Sequence, residues 1–247
     1  KPIVIGIAGK YTGSNDTYIS ILKALEHCSF ATKKCFEVKW IETTEIEKIG
    51  KVAEALKGVD GVIVPGGFGA RGIEGKISVA KHCREKNIPY LGLCLGFQIA
   101  LIEIARNALN LKEANSTEFS PNAKDPVVDI LPEQKKIEGL GGNMRLGGKD
   151  IEIKPGTFAS KIFGNAKTIR RRFRHRFECN PDYIEKFEKE GGVVFSGKAP
   201  GQPIMQVLEL PKHKFFMASQ FHPEFTSRPL HPDEMFLAFV KAAGAGK

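Results

Sequence analysis

The sequence contains no apolar run that approaches the ~18 residues of a membrane-spanning helix, and the longest candidate near its start, Pro2–Ala8, is much shorter. Neither a basic leader nor a small-residue cleavage site accompanies that segment, so we expect no secretory signal and no membrane association. The 247 residues are 42% hydrophobic and 26% charged, which is typical of a globular protein. This length allows one large domain or two small ones, and we expect a single domain over residues 1–247.

Cysteine is scarce and scattered, and no two cysteines form a C-x-x-C pair. The five cysteines are Cys28, Cys35, Cys83, Cys94 and Cys179. Their spacing argues against a zinc ribbon or a redox dithiol, and we predict no metal site. So few cysteines in a chain of this length also argue against a disulfide framework. We therefore expect a reducing compartment, the cytoplasm.

Acidic residues are outnumbered, because 28 Asp and Glu stand against 37 Lys and Arg and give a formal net charge of +9. Six of the positive charges lie between Lys167 and Arg176, with no acid among them. Such a segment, interrupted by Phe173, is typical of a nucleic-acid-binding patch and equally typical of the solvated face of a strand. If residues 168–179 form one strand, one face carries Arg170, Arg172, Arg174 and Arg176.

Apolar runs and helical patterns alternate along the first part of the chain. Buried strands are predicted at Pro2–Ala8, Phe36–Ile41, Gly61–Val64 and Tyr90–Leu93. The first of the helices between them is predicted to begin at the capping residue Asp16. The others are predicted at Ile46–Leu56, Lys76–Glu85 and Phe97–Leu109. This alternation predicts an α/β fold, with an open, mostly parallel sheet and helices on both of its faces.

The pattern is less regular from about Leu111 to Gly148, where prolines and glycines recur and we expect strands and loops but no second domain. Further strands are predicted at Thr168–Cys179, Val193–Ser196, Met205–Leu210 and Phe215–Gln220. We expect the later part of the chain to add a small antiparallel portion. A last helix is predicted to begin near Pro232, a residue suited to the first helical position.

The segment Gly92-Leu-Cys94-Leu-Gly96 is the cysteine counterpart of the G-x-S-x-G nucleophile elbow. A nucleophile on a sharp turn between strand and helix has strained backbone angles, and small flanking residues remove the clashes. The helix N-terminus favours the thiolate form of the cysteine, and the N–H of Leu95 points at the developing oxyanion. A core cysteine in a glycine-rich turn has the same pattern, so the elbow alone leaves both interpretations open.

A nucleophilic cysteine needs a base, and His222 is the most suitable of the six histidines because Glu224 follows it closely. Pro223 excludes a helix here and predicts extended backbone, in which His222 and Glu224 share one face and Phe225 lies on the other. A surface His-Pro turn is the alternative for either residue taken alone. Together with Cys94, the two residues supply a nucleophile, a base and an orienting carboxylate.

The glycines from Gly67 to Gly72 match the dinucleotide-binding pattern G-x-G-x-x-G after a strand. No acidic residue ends the next strand, and Gly75 delays the helix that should open inside the motif. We therefore do not favour nicotinamide or flavin binding. A tight loop that presents backbone N–H groups to another ligand is the better interpretation.

Taken together, these residues resemble the class I, triad-type glutamine amidotransferases, and more narrowly the glutaminase domains of the CTP synthase family. The motifs are Gly9-Lys-Tyr11, Pro65-Gly-Gly-Phe-Gly69, Tyr90-Leu-Gly-Leu-Cys-Leu-Gly-Phe-Gln98, Asn115-Ser-Thr-Glu-Phe119, Gly141-Gly-Asn-Met-Arg-Leu-Gly147, Arg174-His-Arg-Phe-Glu178 and Gln220-Phe-His-Pro-Glu-Phe-Thr-Ser227. They extend along nearly the whole chain, and the resemblance implies a flavodoxin-like three-layer fold. Phe97 stands where this family commonly has Met, which we expect to alter the packing of the pocket and not the chemistry.

The resemblance implies hydrolysis of the glutamine side-chain amide by Cys94 as nucleophile, His222 as base and Glu224 as the residue that orients the imidazole. It places the oxyanion between the N–H groups of Gly67 and Leu95. The residues that it implies in contact with glutamine are Gly67, Leu95, Gly96, Phe97, Gln98, Glu118 and Arg176. A carboxylate such as Glu118 suits the substrate ammonium, and a guanidinium such as Arg176 suits its carboxylate.

The resemblance also implies a larger parent enzyme whose amidoligase domain lies outside this chain. That domain would use ATP and Mg²⁺ to aminate UTP with the ammonia, with GTP as an allosteric activator, whereas the present domain needs no cofactor. The implied partners are L-glutamine and the amidoligase domain, not nucleic acid. The parent would be a homotetramer and the isolated domain a monomer. The alternatives are another triad glutaminase, a γ-glutamyl hydrolase, or a basic nucleic-acid-binding module.

Overall fold

The computed structural model describes residues 1–10, 15–130 and 144–246. The strands in these ranges are β1 Ile3–Gly9, β2 Phe36–Glu42, β3 Gly61–Val64, β4 Tyr90–Leu93, β5 Ala114–Ser116, β6 Asp125–Asp129, β7 Arg145–Ile153, β8 Thr168–His175, β9 Glu178–Cys179, β10 Val194–Lys198, β11 Met205–Glu209 and β12 Phe216–Ser219. The helices are α1 Ile19–Thr32, α2 Thr43–Ile49, α3 Val52–Ala55, α4 Ile73–Glu85, α5 Leu95–Asn107, α6 Phe158–Ile162, α7 Ile184–Lys189 and α8 Glu234–Ala243. Tyr11 and the start of the Gly141 motif lie outside the described residues.

The main sheet has nine strands in the order β2-β1-β3-β4-β12-β11-β10-β7-β8. The first five of these run parallel, and the pairs from β12 to β8 are all antiparallel. A smaller sheet has the order β5-β6-β9. The α/β fold class is thus confirmed, but the antiparallel part is larger than expected. Short connections join β10, β11 and β12, and such connections permit only antiparallel neighbours.

Helices cover both faces of the main sheet. On one face α4 and α5 pack through residues such as Val79 and Leu101, and on the other α1 and α8 pack through residues such as Leu25 and Phe239. The central strands β3 and β4 are buried throughout, as expected for parallel strands between two helical layers. None of the helices in the described ranges is long and apolar enough to cross a membrane.

Several helix boundaries differ from the sequence prediction. A 3₁₀ turn occupies Asn15–Tyr18, so α1 begins at Ile19 and Asp16 does not cap it. The predicted helix over residues 46–56 is two helices, because Gly50 takes a φ of 72° and ends α2. The helix α4 begins at Ile73, directly after the glycine motif, so Gly75 does not delay it.

The predicted strand over residues 168–179 is divided between the two sheets as β8 and β9. Glu178, the first residue of β9, is fully buried and accepts hydrogen bonds from Arg145 Nε at 2.7 Å and from His175 Nε2 at 2.8 Å. Burial raises the pKa of Glu178, but the contacts with His175 and Arg145 outweigh burial and keep the pKa below its usual value. The expectation that Arg176 continues the arginine face of β8 is therefore wrong.

Candidate active site

Cys94 occupies a sharp turn between β4 and α5. Its φ of 52° and ψ of −98° lie in a region that residues other than glycine rarely adopt. A Cβ added at Gly96 would lie 2.1 Å from the carbonyl oxygen of Val64, and one added at Gly92 would lie 2.7 Å from the carbonyl oxygen of Gly96. Only glycine fits at both flanks, so the structure has the nucleophile elbow that the motif predicts.

The Cys94 side chain is buried, and two polar groups lie close to its sulfur. Sγ is 3.8 Å from the carbonyl oxygen of Arg174 and 3.7 Å from Nε2 of Gln220. Because Leu95 and Gly96 begin α5, their N–H groups have no acceptor within the helix, and they give its N-terminus a partial positive charge.

His222 and Glu224 form the second half of the site, and Nδ1 of His222 is 2.8 Å from Oε1 of Glu224. The prediction of extended backbone here is wrong, because Pro223–Phe225 is a 3₁₀ turn. That turn places the Phe225 ring parallel to the imidazole, with ring centroids 4.8 Å apart, and not on the opposite face. The backbone N–H of His222 donates to the carbonyl oxygen of Arg172 at 2.9 Å, which attaches the turn to β8.

The His222 imidazole is poised to carry a proton. Burial lowers its pKa, but interactions with Cys94 and Glu224 outweigh burial and raise the pKa to about 10. Its Nε2 is buried and has no hydrogen-bond partner among the described residues. A Cβ added at Gly66 would lie 3.0 Å from Cε1 of His222 and 3.4 Å from Cβ of Cys94, so both catalytic candidates reach the same loop.

Cys94, His222 and Glu224 line a cleft of about 320 Å³. Besides the three triad candidates its walls include Lys10, Tyr18, Gly66, Gly67, Lys76 and Arg174. Of these, sequence reasoning had singled out only Gly67 for the pocket. No group of three or more His, Cys, Asp or Glu residues in the described ranges is placed to hold a metal ion.

The two expected oxyanion donors are neighbours. The Leu95 side chain reaches within 3.4 Å of the position that a Cβ on Gly67 would occupy. Glu118 reaches the same loop, since its Oε1 accepts the N–H of Gly69 at 2.8 Å. Burial raises the pKa of Glu118, and this outweighs the opposing effects of that N–H and of the positive charges of Arg176 and Lys10. Glu118 and Arg176 are therefore close enough to interact.

Two expected glutamine contacts take a different form. The Phe97 ring is fully buried in the core on the α4–α5 face and is not among the residues that line the cleft. Gln98 donates from Nε2 to the carbonyl oxygen of Phe177 at 3.0 Å and to Oε1 of Gln220 at 3.3 Å. Its own Oε1 is buried without a hydrogen-bond partner among the described residues.

Comparison with known proteins decides the family. Residues 14–242 match the model described as glutamine amidotransferase class-I. The solved glutaminase domain of Trypanosoma brucei CTP synthase, with bound acivicin, is 36% identical and superposes with a TM-score of 0.92 over 99% of this chain and 95% of that one. The chain belongs to the class-I glutamine amidotransferases. Within them it is a glutaminase domain of the CTP synthase family, as its motifs indicated.

The CTP synthases of Thermococcus kodakarensis and Staphylococcus carnosus are each 50% identical to this glutaminase domain, over 242 and 245 residues. These alignments cover 98% and 99% of the chain but 45% of each relative, so the chain spans less than half the length of these curated relatives. A glutamine amidotransferase of Thermotoga maritima has a TM-score of 0.55 at 14% identity and shares the fold alone.

Proposed function

We propose that this glutaminase domain hydrolyses the side-chain amide of L-glutamine to glutamate and ammonia. The observation that carries the proposal is the convergence of Cys94, on its elbow, with the His222–Glu224 pair at one cleft. The diagnostic assay compares glutamine with a γ-glutamyl peptide. Faster hydrolysis of glutamine supports the proposal, whereas a strong preference for the peptide would indicate a γ-glutamyl hydrolase.

The geometry supports a two-step acyl transfer. Sγ of Cys94 attacks the amide carbon, and the charge on the carbonyl oxygen is stabilised by the N–H groups of Gly67 and Leu95. Nε2 of His222 gives a proton to the departing ammonia and leaves a thioester on Cys94. The neutral imidazole then takes a proton from water, which attacks the thioester and releases glutamate. Glu224 holds Nδ1–H of the imidazole throughout.

Glu118 and Arg176 are proposed to recognise the substrate's α-ammonium and α-carboxylate, respectively. Replacing Arg176 by Met should raise the KM for glutamine about 10- to 100-fold and leave kcat nearly unchanged, because a charge-assisted hydrogen bond made equally in ground and transition states is lost. Steady-state kinetics with Arg170→Met as the matched control test this, since Arg170 is exposed and pairs with Asp150. An unchanged KM in Arg176→Met would contradict the assignment.

The domain is further proposed to serve a longer enzyme, in the cytoplasm, in which an amidoligase domain uses this ammonia, ATP and Mg²⁺ to convert UTP to CTP under activation by GTP. The support is that the matched CTP synthases are more than twice as long as the aligned segment. We propose a homotetramer for that enzyme and no nucleic-acid partner. The test is CTP formation by the full parent chain in the presence of ATP, UTP, GTP and glutamine.

The arginine face of β8 is proposed to contact the amidoligase domain. Arg172 and Arg174 are exposed, whereas Arg171 lies on the other face and pairs with Glu234 at 2.6 Å. Binding of the separately produced amidoligase domain should weaken with rising salt and weaken further in Arg172→Glu, because exposed charge pairs are screened. Titration calorimetry measures this binding, with Lys189→Glu as the control, because the Lys189 side chain at the end of α7 is exposed. Salt-insensitive binding would rule out this role.

A further inference from the structure

Lys76 is an unusual feature of the cleft wall. It lies on α4, its side chain is 1% exposed, and it is one of the largest fully buried side chains in the described ranges. No carboxylate within the described part of the chain forms a salt bridge with its ammonium. A buried lysine without such a partner is uncommon, because removal of the charge from water is costly unless another group compensates it. This cost indicates that the lysine has a use in the cleft.

The position of the ammonium relates Lys76 to the proposed chemistry. Nζ is 3.8 Å from the point that a Cβ on Gly67 would occupy, and the Gly67 N–H is one of the two proposed oxyanion donors. The neighbouring Gly66 is close to Cβ of Cys94. The ammonium therefore lies beside the loop against which negative charge forms, first on the sulfur and then on the carbonyl oxygen.

The charges around Lys76 are consistent with this position. Burial lowers its pKa to about 7, and the positive charge of Lys10 acts in the same direction. Negative charge on Cys94 and on Glu42 favours the protonated form.

We propose that Lys76 is a positioning residue for amide hydrolysis, whose ammonium stabilises the Cys94 thiolate and the oxyanion beside Gly67. This role rests on the proposed function for its catalytic part, but the effect on the thiolate is independent of any substrate. Lys76 does not replace His222 as the base. When protonated, it adds a positive charge on the Gly67 side of the loop, whereas the His222 imidazole approaches the loop at Gly66.

The test is the pH dependence of Cys94 alkylation in Lys76→Met, a change that keeps an unbranched side chain one atom shorter and removes the charge. Iodoacetamide labelling of Cys94, followed by peptide mass spectrometry, reports the thiolate without substrate. We expect the midpoint to rise by about one pH unit, which is about tenfold slower labelling below it. Lys81→Met, on the exposed side of α4, is the matched control and should leave the midpoint unchanged.

Glutamine hydrolysis provides the second measurement. We expect Lys76→Met to lower kcat about tenfold with little change in KM, because the lost interaction acts on charge that forms in the transition state. An unchanged labelling midpoint in a folded variant overturns the proposal, even if hydrolysis is slowed. A shifted midpoint in a protein that does not hydrolyse glutamine would support the effect on the thiolate and refute the proposed function. If Lys76→Met does not fold, Lys76→Gln carries the same test.

Discussion

Replacement of Cys94 by alanine is expected to reduce glutamine hydrolysis about 10⁴-fold or more, which is the size of effect seen when an essential nucleophile is removed. The reason is structural, because no other cysteine in the described ranges can substitute. Cys94 is the cysteine at the start of α5 and beside His222, whereas Cys28, Cys83 and Cys179 are buried in the core, where burial raises their thiol pKa values. Release of glutamate at saturating glutamine measures the effect.

Two controls make the Cys94→Ala result specific. Cys35→Ala changes the exposed cysteine and should retain normal activity. Glutamine should still bind to Cys94→Ala, since the proposed contacts of Glu118 and Arg176 do not involve the sulfur, and calorimetry tests this. A diazo-ketone analogue of glutamine should label the wild type through Cys94 and fail to label the variant. Activity within tenfold of the wild type, or an adduct that persists, would refute the assignment of the nucleophile.

Replacement of Gly96 by alanine is expected to destabilise the fold by about 3 kcal/mol or more, at the upper end of overpacking effects. The added Cβ would lie 2.1 Å from the carbonyl oxygen of Val64 and 3.1 Å from its carbonyl carbon. Both neighbours are backbone atoms of the central strand β3, so the N-terminus of α5 must move away from the sheet. Because Cys94 precedes that helix, activity should fall as well.

Denaturant unfolding of Gly96→Ala against Gly148→Ala separates this effect from the general cost of changing a glycine. A Cβ at Gly148 would meet only the flexible end of Arg170, at 3.1 Å, and its backbone does not have a positive φ. We expect Gly148→Ala to change the free energy of unfolding by about 0.5 kcal/mol or less. Equal destabilisation of the two variants would show that the close contact between β3 and α5 does not decide stability.

Much of the fold follows from local pattern. The strands β3 and β4 have the bounds that their apolar runs predicted, because a strand buried on both faces must be apolar throughout. Helix boundaries that depend on the backbone conformation of a single residue were harder to predict from the sequence. The break at Gly50 between α2 and α3 is an example, since a glycine within a helical pattern can either continue the helix or end it.

The candidate site could be predicted from the sequence where its chemistry depends on short motifs. The glycines beside Cys94 and the pairing of His222 with Glu224 were identified from spacing, although the 3₁₀ turn that joins the latter pair was not. Lys76 was not identified, because a lysine four residues into a helix is usually solvated and nothing local indicates its burial. The only feature of the sequence that points to a cleft near Lys76 is the group of adjacent glycines, and their role becomes clear only when α4 is packed against the cleft.

The sequence by itself determined the class of fold, the elbow and the identity of the candidate triad, because each depends on residue type within a few positions. Tertiary structure decided where the basic segment divides. The alternation of residues 168–179 is continuous, yet β8 ends at His175, and Glu178 is buried in the smaller sheet, where it binds Arg145 and His175. Tertiary structure also decided which charges face the cleft, since burial and the approach of distant segments set the environments of His222 and Lys76. Such environments are sums over neighbours that are remote in sequence, and no local pattern contains them.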